Sequence, residues 1–350
     1  MVAGPSDPHR LIAPPSDADF GHPRVTLAHL PTPVEPLDAL AHELGIAPGR
    51  LWVKRDDATG LALGGNKVRK LEYLCADAIR CGAQHLVTAG LAQSNHGRQT
   101  AAAAAKLGLG CTLLFVGRPP ATASGNLVLD KLLGATIRWI DGGDPTDPDY
   151  LGAEIRAEAA RISASGTPAY PIVVGGSVPL GALGYMRAAG ELRAQIPDLA
   201  RVFAPSGSGG THAGLAAGFG DHDLVQGVRI GERRDLEGKI EHLAAAAAAL
   251  AGLPAPRGRA RVDSRLGSAV HTNATLDAIR LAGRTEGLVL DPVYTGKVMA
   301  GLITACREGS LPPAGRVVFL HTGGGPGLLS TEHSEWLVQG LAAGAELRPH

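Results

Sequence analysis

Short apolar runs alternate along this chain with Ala-rich helical stretches, and its 48 glycines cluster where one gives way to the other. That order constrains the fold more than any other feature. A strand followed by a helix followed by a strand usually pairs in parallel, with the helix as a crossover. The pattern predicts strands at 51–54, 85–88, 111–116, 136–140 and 170–174, then at 201–204, 225–230 and 316–321. It restarts after Gly175-Gly176, which suggests a small domain (70–175) inserted into a larger one (1–69 with 176–350). The expected fold class is α/β, with two parallel-sheet domains and a cleft between them. Ligands in such sheets sit beyond the carboxyl ends of the strands.

Composition excludes several functions. Lys plus Arg (33) balance Asp plus Glu (33), so net charge is zero and neither nucleic acid nor an anionic membrane is an expected partner. No apolar run could span a bilayer. The first 24 residues read as an irregular lead-in without the apolar core of a signal peptide. Cys75, Cys81, Cys111 and Cys306 show no metal-ligand spacing, so no metal is expected and a reduced, cytoplasmic compartment is the default.

The stretch Gly64-Gly65-Asn66-Lys67 places two glycines and a polar residue suited to capping before a helix, with Lys67 in its first turn. Apolar residues at 71, 74, 75, 78 and 79 predict one buried face for a helix running to Arg80 and stopped by Gly82. Lys67 would then lie at the exposed start, where the helix dipole favours a neutral amine. A neutral amine beside an anion-binding surface suits Schiff-base chemistry. A lysine at a helix start is usually only solvated, so the reading depends on its neighbours.

Those neighbours are loops that enter helices. Ser206-Gly207-Ser208-Gly209-Gly210-Thr211 follows a strand, and its bare backbone N–H groups, with the hydroxyls of Ser208 and Thr211, form an anion cradle. No Gly-Lys-Ser/Thr follows, and His212 stands where a dinucleotide fingerprint needs glycine, so a single phosphate monoester fits best. Gln93-Ser94-Asn95-His96 is a second cradle, suited to a substrate carboxylate; read alone, Ser94 would be an N-cap and His96 a surface histidine. Tyr294 in Asp291–Lys297 could serve as core or as a proton carrier, and Thr322 in His321–Gly327 can hydrogen-bond a flat ring. An imine-forming lysine, a phosphate cup, a carboxylate loop and ring-facing hydroxyls together describe pyridoxal 5′-phosphate.

These motifs resemble the D-cysteine desulfhydrase and 1-aminocyclopropane-1-carboxylate (ACC) deaminase family, pyridoxal-phosphate enzymes of the tryptophan-synthase-β type (fold type II). The resemblance runs from Pro31-Thr32-Pro33 and Lys54-Arg55-Asp56-Asp57 through 64–71, 93–96, 207–211 and 291–297 to His321-Thr322-Gly323-Gly324. It implies that Lys67 holds the cofactor and moves the α-proton, with Asn66 beside it. It further implies that Asn95 meets the ring's 3′-oxygen, Gly207, Ser208, Gly209, Gly210 and Thr211 bind phosphate, and Thr295 and Thr322 stand near the ring nitrogen. Gln93, Ser94, Asn95 and His96 would receive a small amino-acid substrate, with Tyr294 near its reacting carbons. A homodimer is implied as well.

Two positions discriminate within the family. ACC deaminases resemble Tyr-Glu-Gly and His-Leu-Gly where this chain has Tyr294-Thr295-Gly296 and His321-Thr322-Gly323. Threonine cannot hold a charge on the pyridine nitrogen, so the electron sink is weaker. That favours α,β-elimination from a cysteine-like substrate. His96, where the deaminases resemble Gln, agrees. The Gly-Tyr-Gly of family desulfhydrases is absent near 266–271, which leaves Ser268 or His271 to line that space and keeps cysteate or diaminopropionate in view. Ring opening of ACC and non-catalytic cofactor binding are the rival readings.

Overall fold

The computed structural model describes residues 12–13, 16, 19–142, 147–233, 235–267 and 270–345. Two larger sheets organise it. The larger has six strands in the order Arg261–Asp263, Val225–Arg229, Leu199–Ser206, Arg316–His321, Leu51–Arg55 and Val34–Pro36. All of its neighbours are parallel except the last pair, where Val34–Pro36 runs antiparallel to Leu51–Arg55. Pro36 is tolerated there because an edge strand can spare an N–H. This antiparallel edge departs from the all-parallel expectation. The smaller sheet is wholly parallel, in the order Thr136–Ile140, Gly110–Val116, His85–Gly90 and Ala169–Pro171. A short antiparallel pair, Ile12–Ala13 with Arg24–Val25, replaces part of the expected irregular lead-in.

Helices cover both faces of each sheet, as parallel strands require. Helices Pro179–Gln195, Gly210–Phe219 and Leu236–Leu250 bury one face of the large sheet, and Asn273–Glu286 with Thr295–Arg307 bury the other. Helix Pro148–Ala164 covers the outer face of the small sheet. No helix among the described residues is long and apolar enough to cross a membrane.

Helix Lys67–Arg80 has the bounds its sequence predicted, but not the environment. It is buried on nearly every side, Arg69, Lys70 and Glu72 included. Its apolar residues join the core of the small sheet, and its opposite face meets helix Pro179–Gln195. The approach is close enough that a Cβ on Gly184 would strike the Arg69 carbonyl. Burying these groups is tolerable because Arg69 and Glu72 are matched, while burial disfavours a charge on Lys70. Arg69 pairs with Asp56 at 2.8 Å and Glu191 at 2.9 Å, while Glu72 accepts from the N–H groups of Leu27 (2.9 Å) and Ala28 (3.0 Å). The helix therefore serves as a rigid wall shared by both sheets, and its N-terminus opens where the large-sheet strands end.

Candidate active site

Lys67 occupies the floor of that opening. It is half-buried, not at an exposed helix start as its position in the sequence suggested. Its amine donates to Asn66 Oδ1 at 3.0 Å, and Asn66 Nδ2 donates to Thr211 Oγ1 at 3.0 Å. Asn66 therefore makes no side-chain cap; Gln99 Oε1 accepts the Val68 N–H instead, at 2.8 Å. The Asn66 N–H donates to the Thr322 carbonyl at 3.0 Å, which fixes the segment against the end of strand Arg316–His321. Burial, reinforced by the Arg98 guanidinium and opposed by Asp291, lowers the Lys67 amine to about 8. Burial thus dominates the shift that the sequence reading assigned to the helix dipole.

The 206–211 loop leads from strand Leu199–Ser206 into a helix, as expected. Gly209 takes a left-handed φ of 88° and leads into helix Gly210–Phe219. Ser208 Oγ lies 2.7 Å from Ser177 Oγ. Lys70 Nζ donates to the Gly175 carbonyl at 3.0 Å and to Ser177 Oγ at 3.4 Å. A Cβ on Gly210 would fall 2.5 Å from Ser177 Oγ and 2.6 Å from Lys70 Nζ, so the missing side chain leaves a space bounded by an amine, a hydroxyl and a helix N-terminus. Burial, with the charges of Lys67 and Lys239, drives the Lys70 amine well below its usual range. An anion in this space would restore its charge. Lys70 and Ser177 escaped the sequence reading. The available signal was that Lys70 lies three residues after Lys67, on the same helix side.

The Gln93–His96 loop is mostly internal framework. Ser94 is the N-cap of helix Asn95–Leu107, accepting from Gly97 N at 3.0 Å, and its hydroxyl proton remains free to donate. The Gln93 amide is spent on the Ser124 carbonyl (3.0 Å) and the Asn126 N–H (2.9 Å). Asn95 Oδ1 accepts from Arg98 (3.1 Å) and Asn126 (3.0 Å), so its NH₂ is turned outward without a partner among the described residues. His96 is buried, not at the surface; its Nε2 meets Thr88 Oγ1 at 3.0 Å, and burial lowers it to about 3, so it is neutral. Arg98 was also missed. Its guanidinium donates to the Gly64 carbonyl at 2.6 Å, tying the small-sheet helix to the Lys67 loop.

Tyr294 precedes helix Thr295–Arg307, and its phenol has no partner among the described residues. Burial, then Asp291, pushes it up to about 12. Thr295 does not present its hydroxyl to a ligand. It is fully buried and donates to Asp291 Oδ1 at 2.6 Å, because a buried hydroxyl at a helix start takes the nearest carboxylate. Thr322 keeps its hydroxyl unpartnered among the described residues. Ser268 lies outside the described residues. His271, the other expected occupant of that space, pairs with His333 at 2.9 Å.

Similarity to known proteins follows the same elements. The family model for pyridoxal-phosphate dependent enzymes matches residues 25–323. The D-cysteine desulfhydrase of Salmonella newport (strain SL254) is 42% identical over 323 residues, covering 88% of this chain and 96% of that protein. The D-cysteine desulfhydrase of Salmonella typhi is 42% identical over the same length and shares. A solved structure titled as an ACC deaminase homologue superposes with a TM-score of 0.83 at 36% identity, covering 92% of this chain and 98% of that one. Threonine deaminase isoform 2 of Solanum lycopersicum shares the fold alone, with a TM-score of 0.61 at 17% identity, over 89% and 83% of the two chains.

Proposed function

The chain belongs to the family of pyridoxal-phosphate-dependent enzymes, and from that premise we propose that it is a lyase removing the β-substituent of a small amino acid, with D-cysteine the leading substrate. Its α/β architecture is that of fold type II. Cysteine and water would yield pyruvate, ammonia and hydrogen sulfide.

The residues present fit the cofactor. The space beside Gly210, the hydroxyls of Ser208 and Thr211 and the buried Lys70 amine suit its phosphate. Lys67 would hold it covalently, the outward NH₂ of Asn95 would meet the ring's 3′-oxygen, and Thr322 would stand by the ring nitrogen. Bound there, pyridoxal phosphate supplies an electron sink for negative charge at the substrate α-carbon.

The chain's own groups handle binding and protons. Ser94 donates its free hydroxyl proton to the substrate carboxylate at the start of helix Asn95–Leu107, where the dipole favours an anion. The Lys67 amine, held by Asn66 and discouraged from protonation by burial and by Arg98, takes the α-proton. Tyr294, whose phenol stays protonated, delivers its proton to the departing group. Asn66 couples the two ends of the site, since one amide touches both the reactive amine and the cup's Thr211.

Asp291 supports elimination over ring opening. Its carboxylate accepts from the N–H groups of Val293 (3.0 Å), Tyr294 (2.9 Å) and Thr295 (3.0 Å) and from the Thr295 hydroxyl. A carboxylate so occupied is not available to keep a proton on the ring nitrogen, and Thr322 carries no charge. The resulting sink is weak, which suffices when a good leaving group departs from Cβ. The solved structure titled as an ACC deaminase homologue favours the second reading, ring opening.

The test is a screen of the holoenzyme with D- and L-cysteine, cysteate, β-chloroalanine, 2,3-diaminopropionate and ACC, measuring 2-oxo acid released. Pyruvate from D-cysteine is expected. Turnover of ACC alone, giving 2-oxobutyrate, would overturn the ranking, and no oxo acid from any of them would leave a non-catalytic binder. The same reading takes 1–69 with 176–350 as the cofactor domain, 70–175 as the inserted domain, and the working form as a cytoplasmic homodimer. A monomeric holoenzyme by light scattering would remove the dimer.

A further inference from the structure

Helix Thr331–Ala345 begins against the small sheet's loop, where the Thr331 N–H donates to Ser124 Oγ at 3.1 Å. Its next two residues, Glu332 and His333, meet His271, which precedes helix Asn273–Glu286. His271 Nε2 and His333 Nδ1 are 2.9 Å apart, and one ligand atom from each of the three residues lies within 4.8 Å of the others. Both imidazoles are set by packing. The His271 ring stacks on Trp336, with centroids 4.6 Å apart and planes at 17°, and meets the His333 ring edge-on at 5.0 Å. His333 is buried, His271 half-buried and Glu332 exposed, so one side of the trio faces solvent. Nothing in the proposed chemistry uses these residues.

We infer that His271, Glu332 and His333 form a binding site for a divalent transition cation of the zinc class. Bonds of about 2.0–2.2 Å to imidazole and carboxylate place tetrahedral ligand atoms roughly 3.3–3.6 Å apart. The observed spacings, 2.9 Å between the two imidazoles and at most 4.8 Å within the trio, bracket that range. Two imidazoles and one carboxylate suit zinc, and the open side leaves a fourth position for water. The Asp291 carboxylate, whose charge reaches His333, adds favourable negative potential. His271 and His333 are 62 residues apart, so no local spacing announces the site.

The experiment is a zinc titration of the holoenzyme against a chromophoric chelator, with retained metal counted by atomic emission after gel filtration. One zinc per chain is expected, with micromolar or tighter affinity. Loss of an outer-shell partner alone costs about 10–100-fold in affinity, so loss of a ligand should cost at least as much. His271→Phe keeps a ring against Trp336 and is expected to abolish the retained zinc. Glu332→Gln, at an exposed position, is expected to weaken binding about tenfold or more without altering the fold. Cys81→Ser removes the one exposed thiol and should change nothing. Absence of zinc in the parent protein, or unchanged affinity in both His271→Phe and Glu332→Gln, would overturn the inference.

Discussion

The two ends of the cleft follow opposite rules. At the cup, Lys70, Ser177, Ser208 and Thr211 all have hydrogen-bond partners. At the reacting end, the Tyr294 phenol, the Thr322 hydroxyl and the Asn95 NH₂ have none among the described residues, and Lys67 holds a single contact. A group already oriented by its neighbours binds at little further ordering cost. A group that must exchange protons needs open valences. Under the proposed function, the comparison teaches that anchoring and chemistry are divided between the ends and joined through Asn66.

The largest test of that division is Lys67→Ala. It should abolish the visible band of the bound cofactor and lower turnover by at least about 10³-fold, as loss of a central catalytic group does. A retained band would place the covalent link elsewhere. Tyr294→Phe should keep the band and lower kcat by roughly 10²-fold or more. Unchanged kinetics there would move the proton carrier to another residue.

Lys70→Met acts at the other end. It should weaken cofactor affinity by about 10–100-fold, the scale of one charged hydrogen bond, while kcat of the saturated enzyme changes little. A kcat loss as large as that of Tyr294→Phe would break the division. The smallest effect concerns pH. The Lys67 amine is lowered to about 8, so its neutral form grows as pH rises to that value. Uptake of cofactor by the apoprotein, followed by absorbance, should accelerate about tenfold per pH unit below 8 and level off above it. A midpoint near that of ordinary lysine would mean that burial does not govern this amine.

Much of this was legible locally. Helix Lys67–Arg80 and the turn of 206–211 into a helix were read at or near their observed places, and Ser94 is the N-cap that it would be if read alone, because periodicity, capping and glycine-rich turns act over a few residues. What was misread depends on tertiary burial or on distant partners. Asn66 looked like a cap until Thr211, 145 residues away, claimed its amide. Thr295 looked like a ring partner until its burial turned it to Asp291. Arg98 carried no local signal and Lys70 only its place three residues after Lys67, because their roles come from the Gly64 and Gly175 carbonyls.

The sequence by itself determined the alternation of strands and helices, and so the parallel sheets, the loops at their carboxyl ends and the lysine among them. Only the tertiary structure decided which polar atoms remained free for chemistry. Hydrogen-bond satisfaction is settled by whatever folds within about 3 Å of an atom, and for Asn66, Lys70 and Arg98 that neighbour is far away in sequence.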